Sequence, residues 1–173
     1  ADTRRVPTRT SSSGNASTAR RNWSVIIARR AASRRLVRLI EAHPDHFRQI
    51  RTVADIAAAK RERQLGIIFS FESATCLEDK IDRIDLFRNL GVRVMQLSYN
   101  TPSPFGAGVM SPPESTLTDL GREAITRMNE KGVALDLSHA NPATTNAAIE
   151  ASTKPVLITH AGYSAAPIPV EAP

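Results

Sequence analysis

Three residues of the types that bind metal ions follow three short apolar segments of the sequence. Of four such segments, Glu72 follows the first (66–71), His139 follows the third (133–137) and His160 follows the fourth (155–159). If these segments are parallel strands, their carboxyl ends meet at one edge of the sheet, where α/β barrels place reactive groups. Imidazole and carboxylate are ligands of catalytic zinc, which uses about three protein side chains and keeps a position open for water. Such a metal site could activate water for attack on an amide.

Each of these residues also has a simpler interpretation. A single glutamate at a strand end usually lies on the surface or caps a helix, and a single histidine there usually hydrogen-bonds within a loop. The occurrence of all three at strand ends of one sheet favours the metal site. Tyr99 and Asn100 follow the second segment, where a tyrosine usually packs and an asparagine usually caps a turn. Asp136 either orients a ligand histidine, by accepting a hydrogen bond from the ring nitrogen that does not bind the metal, or accepts one from a nearby backbone amide.

The hydrophobic pattern predicts an α/β fold. Helical connections between short apolar strands imply a parallel sheet with right-handed crossovers. A full (β/α)8 barrel has typically about 250 residues, so four units fit a doubly wound sheet or a partial TIM-type barrel. Thr118 and Asn141 are predicted to cap the last two helices. The predicted strands are Gly66–Phe71, Val92–Ser98, Val133–Leu137 and Pro155–Thr159, and the predicted helices are Leu77–Leu90, 119–131 and 142–152.

The first third of the chain differs in composition from the rest. Its beginning is rich in Ser, Thr, Arg, Ala and Asn and cannot bury enough apolar surface to order itself. One predicted helix ends before His43-Pro44, and a second covers Val53–Arg63. The predicted organisation is a disordered basic arm, a helical lead-in, a partial barrel core and a Pro-rich tail, at residues 1–22, 23–65, 66–163 and 164–173.

Charge and composition narrow the function classes. The net charge of the 173 residues is +6, but residues 1–51 carry +9 and residues 52–173 carry −3. A basic arm can bind nucleic acid, but this one has no recognisable nucleic-acid motif, so we expect no such partner. One cysteine excludes a disulfide framework. No apolar segment is long enough to span a membrane. No signal peptide is visible, and the compartment stays open between cytoplasm and periplasm if the protein is bacterial.

Seven short blocks of the sequence carry a family resemblance. They are Phe71-Glu72-Ser73, Leu90–Arg93, Leu97–Asn100, Leu117–Glu123, Met128–Gly132, Asp136–His139 and Pro155–His160. In residues and in order they resemble the membrane (renal) dipeptidase family of zinc metallopeptidases, over roughly residues 32–163. The resemblance implies a (β/α)8 barrel with two zinc ions, which hydrolyses dipeptides with metal-activated water.

The resemblance also implies roles for individual residues. Glu72 matches the catalytic-site glutamate that bridges both metal ions, and His139 and His160 match the histidines that complete one metal position. Tyr99 stands where the best-known members have a substrate-contacting histidine, and Asn100 follows it. We therefore assign both Tyr99 and Asn100 to substrate binding.

The sequence departs from the family pattern at its two ends. The family's His-x-Asp pair, which supplies the second metal position, has no counterpart, since His43-Pro44-Asp45 lies at a predicted helix end. The family's substrate-binding arginine and late aspartate are not found after His160. We therefore expect a truncated or frame-shifted dipeptidase with an incomplete second zinc site and with little or no activity.

Two other functions stay open. The chain could be a non-catalytic barrel fragment, or another metal-dependent α/β-barrel amidohydrolase, because such enzymes also use strand-end histidines and acids. An open half-barrel exposes strand edges and an apolar sheet face, which favours pairing with a second copy. We therefore expect a homo-oligomer.

Overall fold

The computed structural model describes residues 35–161 of the chain, and these divide into two compact units between Ala42 and His43. In the first unit, residues 35–42 form helix α1. It ends directly before His43-Pro44, as predicted, because the residue before a proline avoids helical backbone. The predicted basic arm, the first part of the predicted lead-in helix and the Pro-rich tail lie outside the described residues.

In the described part of the second unit, five short strands form parallel ladders. They are β1 (Phe47–Gln49), β2 (Leu65–Ile67), β3 (Phe69–Phe71), β4 (Val92–Gln96) and β5 (Ala134–Asp136). Strands β1 and β2 form one sheet, and β4 lies between β3 and β5 in the other. A parallel bridge between Asp136 and Leu157 places one more segment beside β5. The predicted parallel α/β fold is confirmed, and between residues 35 and 161 the sheets are open.

Helices follow β1, β3, β4 and β5 in the predicted order, whereas β2 and β3 are joined directly. They are α2 (Val53–Arg61), a 3-10 helix (Ala74–Leu77), α3 (Arg83–Asn89), α4 (Asp119–Lys131) and α5 (Pro142–Ala151). The Thr118 side chain accepts from the N–H of Gly121 and so caps α4, and Asn141 caps α5 by accepting from Thr144. Gly132 ends α4 with a left-handed φ of +66°, which glycine adopts without steric cost. The predicted caps of both helices are confirmed.

The first and last predicted strands differ from the prediction. The segment Gly66–Phe71 forms two strands in different sheets, because residues up to Ile67 pair with β1 and those from Phe69 pair with β4. Of its residues only Phe71 is buried. The segment Pro155–Thr159 makes only the bridge at Leu157, since its last residue bonds to polar side chains.

Two further elements correct the prediction of helices. Helix α3 begins at Arg83, well after the predicted start at Leu77, because Glu78 has a φ of +58° that a right-handed helix cannot contain. Strand β1 lies inside the segment predicted as a helical lead-in. Its parallel pairing with β2 determines its conformation, and a strand of three residues is too short to show a periodicity of its own.

The hydrophobic core of the second unit packs the three-stranded sheet against helices on its face. Burying each large apolar side chain contributes about 1.5–3 kcal/mol, so the sheet is a firm support for the loops at its carboxyl edge. The largest fully buried apolar side chains are Phe105, Leu77, Ile84, Met95, Leu97, Ile125, Met128 and Leu135.

Strand register brings the carboxyl ends together. Phe71 pairs with Met95, Gln96 pairs with Asp136, and Asp136 bridges to Leu157. The residues that follow β3, β4, β5 and the bridged segment therefore emerge at one edge of one sheet.

Candidate metal centre

Glu72 extends directly from the end of β3. The preceding Phe71 is anchored by an edge-to-face contact with Phe87, whose ring centroid lies 4.8 Å away. The following Ser73 begins the 3-10 helix, and its hydroxyl accepts a hydrogen bond from the N–H of Thr75. Glu72 is thus held between two anchored neighbours, while its own side chain is 58% exposed.

His139 lies in the loop after β5 and has an unusual backbone. Its φ is +68°, a left-handed conformation that is uncommon for non-glycine residues and that is concentrated at functional sites. The loop is bonded to the loop that follows β4, because the His139 carbonyl accepts a hydrogen bond from the N–H of Val109, at 2.9 Å, and Ala140 bridges to Gly108. The side chain is mostly buried, at 18% exposed.

His160 is positioned by hydrogen bonds from its own backbone to the neighbouring strand. The hydroxyl of Ser138 accepts from the N–H of Thr159 at 3.0 Å and from the N–H of His160 at 3.1 Å. These two bonds fix the main chain just after the bridge at Leu157, so the imidazole projects beside that of His139. The His160 side chain is 49% exposed.

The three predicted metal ligands converge, as the sequence predicted. The Nε2 atoms of His139 and His160 are 2.8 Å apart, and Oε1 of Glu72 lies 3.6 Å from the first and 3.8 Å from the second. A point about 2.0 Å from all three atoms lies inside the triangle they form, and zinc bonds to nitrogen and oxygen measure about 2.0–2.2 Å. The spacing therefore fits a metal ion of that size.

Hydrogen bonds on the far side of each ring determine which nitrogen faces the centre of the triangle. Nδ1 of His139 lies 2.7 Å from Oδ1 of Asn100, an oxygen that can only accept, so this Nδ1 carries the proton. Nδ1 of His160 lies 2.9 Å from Oγ1 of Thr159. If Nδ1 of His160 is protonated as well, two Nε2 lone pairs and one carboxylate oxygen face each other. Such a set of acceptors is stable around a cation and repulsive without one.

Asp136 lies beneath the site and is fully buried, at 1% exposed. Burial by itself raises the pKa of this carboxyl group. Hydrogen bonds from Thr159, Ser138 and Gln96 outweigh that effect and lower the pKa below its ordinary value of 3.8, so the group is a carboxylate near neutral pH. Within residues 35–161 it makes no hydrogen bond to His139, and it reaches His160 through Thr159.

Tyr99 and Asn100 both lie against His139. The Tyr99 ring is 4.3 Å from the imidazole, centroid to centroid, at an interplanar angle of 35°. Asn100 uses its side-chain oxygen for Nδ1 of His139, a positioning contact that the sequence did not predict. Their assignment to substrate binding stays a prediction.

Ser138 and Thr159 are functional candidates that sequence reasoning did not select. Ser138 follows Asp136 by two residues, just past the end of β5, and this spacing was the available signal for Ser138. Thr159 has no such signal, because its contact with Asp136 crosses from one strand to the next. The other two histidines, His43 and His46, are not members of the ligand cluster found among the described residues.

No helix within residues 35–161 is both long and apolar enough to cross a membrane.

Comparisons with known proteins agree with this fold. A protein from Acinetobacter calcoaceticus, described as an uncharacterized protein in the PQQ-III 3′ region, is 30% identical over 120 residues, which are 66% of this chain and 38% of that protein. A crystal structure of an amidohydrolase from Pseudomonas aeruginosa superposes with a TM-score of 0.69 at 34% identity, covering 72% of this chain and 38% of the other.

A second solved structure is a metallopeptidase from Rhodobacter sphaeroides, bound to a phosphinate mimic of the dipeptide L-Ala-D-Ala. It matches with a TM-score of 0.65 at 26% identity, over 70% of this chain and 36% of that chain. The chain spans between 26% and 38% of the length of the curated relatives it matches. The family model of membrane dipeptidases, peptidase family M19, matches residues 20–167. The chain therefore belongs to the membrane dipeptidase family, peptidase family M19.

Proposed function

We propose that this chain binds zinc through Glu72, His139 and His160 and contributes that site to the hydrolysis of dipeptides. The observation that carries the proposal is the convergence of one carboxylate oxygen and two imidazole Nε2 atoms within 4.8 Å of one another. The related metallopeptidase bound to a dipeptide mimic supports a dipeptide as substrate.

The residues around the site have separate tasks in this reaction. Bound zinc lowers the pKa of water to about 7 and polarises a carbonyl oxygen. Glu72 and the two histidines would hold the ion, and a second ion of a binuclear site would share the Glu72 carboxylate. The oxygen of water would add to the peptide carbonyl carbon, the C–N bond would break, and the leaving amine would take up the proton that the water loses. We assign to Tyr99, whose ring lies 4.3 Å from that of His139, a hydrogen bond from its hydroxyl to the substrate.

We propose that the 173-residue chain by itself is a weak catalyst. Two of the three ligands are about half exposed, Glu72 at 58% and His160 at 49%. In water the electrostatic stabilisation of a transition state is far smaller than in a closed site. We therefore expect kcat for dipeptides well below the enzyme median of about 10 s⁻¹.

Zinc binding is the direct test of the proposed site. Competition with a chromophoric chelator measures zinc affinity and stoichiometry for the 173-residue chain and for His139→Ala and His160→Ala. His43→Ala is the matched control, because His43 is exposed and outside the cluster. We expect tight binding by the parent chain and the control, and its loss in the two site variants. Equal affinity in all four proteins would overturn the proposal.

A second candidate substrate class follows from the structural neighbour described as an amidohydrolase, which is 34% identical. Amidohydrolysis of acyl amino acids or cyclic amides would use the same three ligands. Assaying the zinc-loaded chain on a panel of dipeptides beside these amides separates the two functions. Turnover confined to the non-peptide amides would favour amidohydrolysis of those substrates.

The formation of a homo-oligomer by this chain also stays a prediction.

A further inference from the structure

The carboxylate of Asp136 collects hydrogen bonds from three parts of the chain. Oδ1 accepts from the N–H of Ser138 at 3.0 Å, from its hydroxyl at 2.7 Å and from the N–H of Thr159 at 3.3 Å. Oδ2 accepts from the hydroxyl of Thr159 at 2.5 Å and from Nε2 of Gln96 at 3.2 Å. A carboxylate without a proton can only accept, so the direction of every one of these bonds is fixed.

The fixed direction determines where the proton of Thr159 lies. Its hydroxyl has one proton, which it uses in the hydrogen bond that it donates to Oδ2 of Asp136, at 2.5 Å. Only the lone pairs of Oγ1 remain for Nδ1 of His160, at 2.9 Å. Nδ1 of His160 must therefore donate, and the lone pair of that imidazole is left on Nε2, the atom that faces Glu72 and His139.

We propose that Asp136 and the hydroxyl of Thr159 act as positioning residues, which hold His160 in the tautomer that presents Nε2 to the metal. The inference rests on the proposed metal site and adds a relay of two bonds from Asp136 through Thr159 to His160. The relay crosses between strands, because Asp136 ends β5 and acts on the ligand that follows the next parallel segment. Partners of this kind typically change metal affinity by about 10–100-fold.

The relay is distinct from the anchoring of the main chain. Ser138 fixes the backbone of residues 159 and 160 by accepting hydrogen bonds from their two N–H groups. Thr159 instead acts on the tautomer of the His160 ring, through its side-chain hydroxyl. A variant that lacks only the hydroxyl of Thr159 therefore leaves the backbone bonds in place. This difference lets an experiment separate positioning of the imidazole from stability of the loop.

An ionised group at position 136 is needed for the relay but not for the packing. An asparagine there would keep one oxygen for Ser138. Its NH₂ group would donate to Oγ1 of Thr159, turn the hydroxyl proton towards His160 and leave the wrong tautomer. Oε1 of Gln96 is buried without a hydrogen-bond partner in the described structure, so rotation of that amide could satisfy the new NH₂ group. Asp136→Asn is thus a mild change in shape that reverses the relay.

The test compares zinc affinity in four variants of the 173-residue chain. Thr159→Val removes the hydroxyl, Thr159→Ser keeps it, Asp136→Asn reverses the relay, and Thr126→Val is the matched control on the exposed face of α4. We expect about a tenfold loss for Thr159→Val and at least as much for Asp136→Asn. The lower end of the range applies because Thr159 is exposed and water can replace part of the contact. Thr159→Ser and the control should stay within about threefold.

A nuclear magnetic resonance readout reports the relay without any activity. In the zinc-loaded chain labelled with ¹⁵N-histidine, we expect a slowly exchanging Nδ1 proton on His160 in the parent and in Thr159→Ser. This proton should exchange rapidly in Thr159→Val, with the melting temperature of the zinc-free protein checking the fold. Unchanged zinc affinity and unchanged exchange in both Thr159→Val and Asp136→Asn would overturn the relay and leave the metal site standing. Absence of zinc binding by the parent chain would instead overturn the proposed function.

Discussion

Oδ1 of Asn100 lies 2.7 Å from Nδ1 of His139, and this bond joins the loop after β4 to the loop after β5. Because an amide oxygen can only accept, the contact fixes the proton on Nδ1 and the lone pair on Nε2. We expect Asn100→Ala to lower zinc affinity about tenfold, whereas Asn100→Asp, which keeps an acceptor, should preserve it. Chelator competition measures both. Equal affinity in the alanine variant would show that His139 is oriented by its stacking on Tyr99 alone.

Zinc should stabilise the folded chain, because the three ligands converge only in the folded state. At a free zinc concentration of about 100 times Kd, binding adds about 2.7 kcal/mol to the free energy of unfolding. For a domain of this size the melting temperature then rises by roughly 5–15 °C. Differential scanning calorimetry with zinc and with a chelator measures the rise. His160→Ala should show almost none, and a full rise in that variant would place the bound ion elsewhere.

Gly108 should be important for the site although it supplies no ligand. A Cβ atom at Gly108 would collide with the carbonyl oxygen of Tyr99 and with the backbone of Asn100. Gly108→Ala must therefore displace the loop that carries the partner of His139, and we expect about a tenfold loss of zinc affinity.

Gly132→Ala is the matched control for this substitution. No atom lies within 4 Å of a Cβ there, but the φ of +66° is left-handed. The free energy of unfolding should fall by about 1–2 kcal/mol, with zinc affinity unchanged. A loss of affinity in both variants would mean that general destabilisation, rather than the loop after β4, weakens the site.

The sequence was sufficient to predict the parts of the site that depend on strand order. Glu72, His139 and His160 each follow an apolar segment, and parallel strands bring their carboxyl ends together wherever the exact strand limits fall. This is why the convergence was predictable although the segment 66–71 is split and the segment at Leu157 makes only a bridge.

The sequence was not sufficient where a contact depends on register between strands. That Asp136 acts on His160 rather than on His139, three residues away in the chain, follows from the bridge between Asp136 and Leu157. The left-handed backbone of Glu78, which delays the start of α3, has no signal in the local sequence pattern either. Local patterns predicted caps well because a cap depends on residues within one turn, as at Thr118.

Asp136 should make the chain sensitive to acid. Its pKa is lowered in the folded state from an ordinary value of 3.8, so in acid the unfolded chain takes up a proton that the folded chain does not. The stability contributed by this group is therefore complete above about pH 5 and is lost as the pH falls through the folded pKa. Melting temperatures of the parent and of Asp136→Asn, both with chelator, measure it between pH 5 and pH 2.5. The difference should shrink as the pH falls, because the asparagine does not titrate and the other carboxyl groups are common to both proteins. A difference that stays constant over this range would mean that Asp136 keeps its ordinary pKa in the fold.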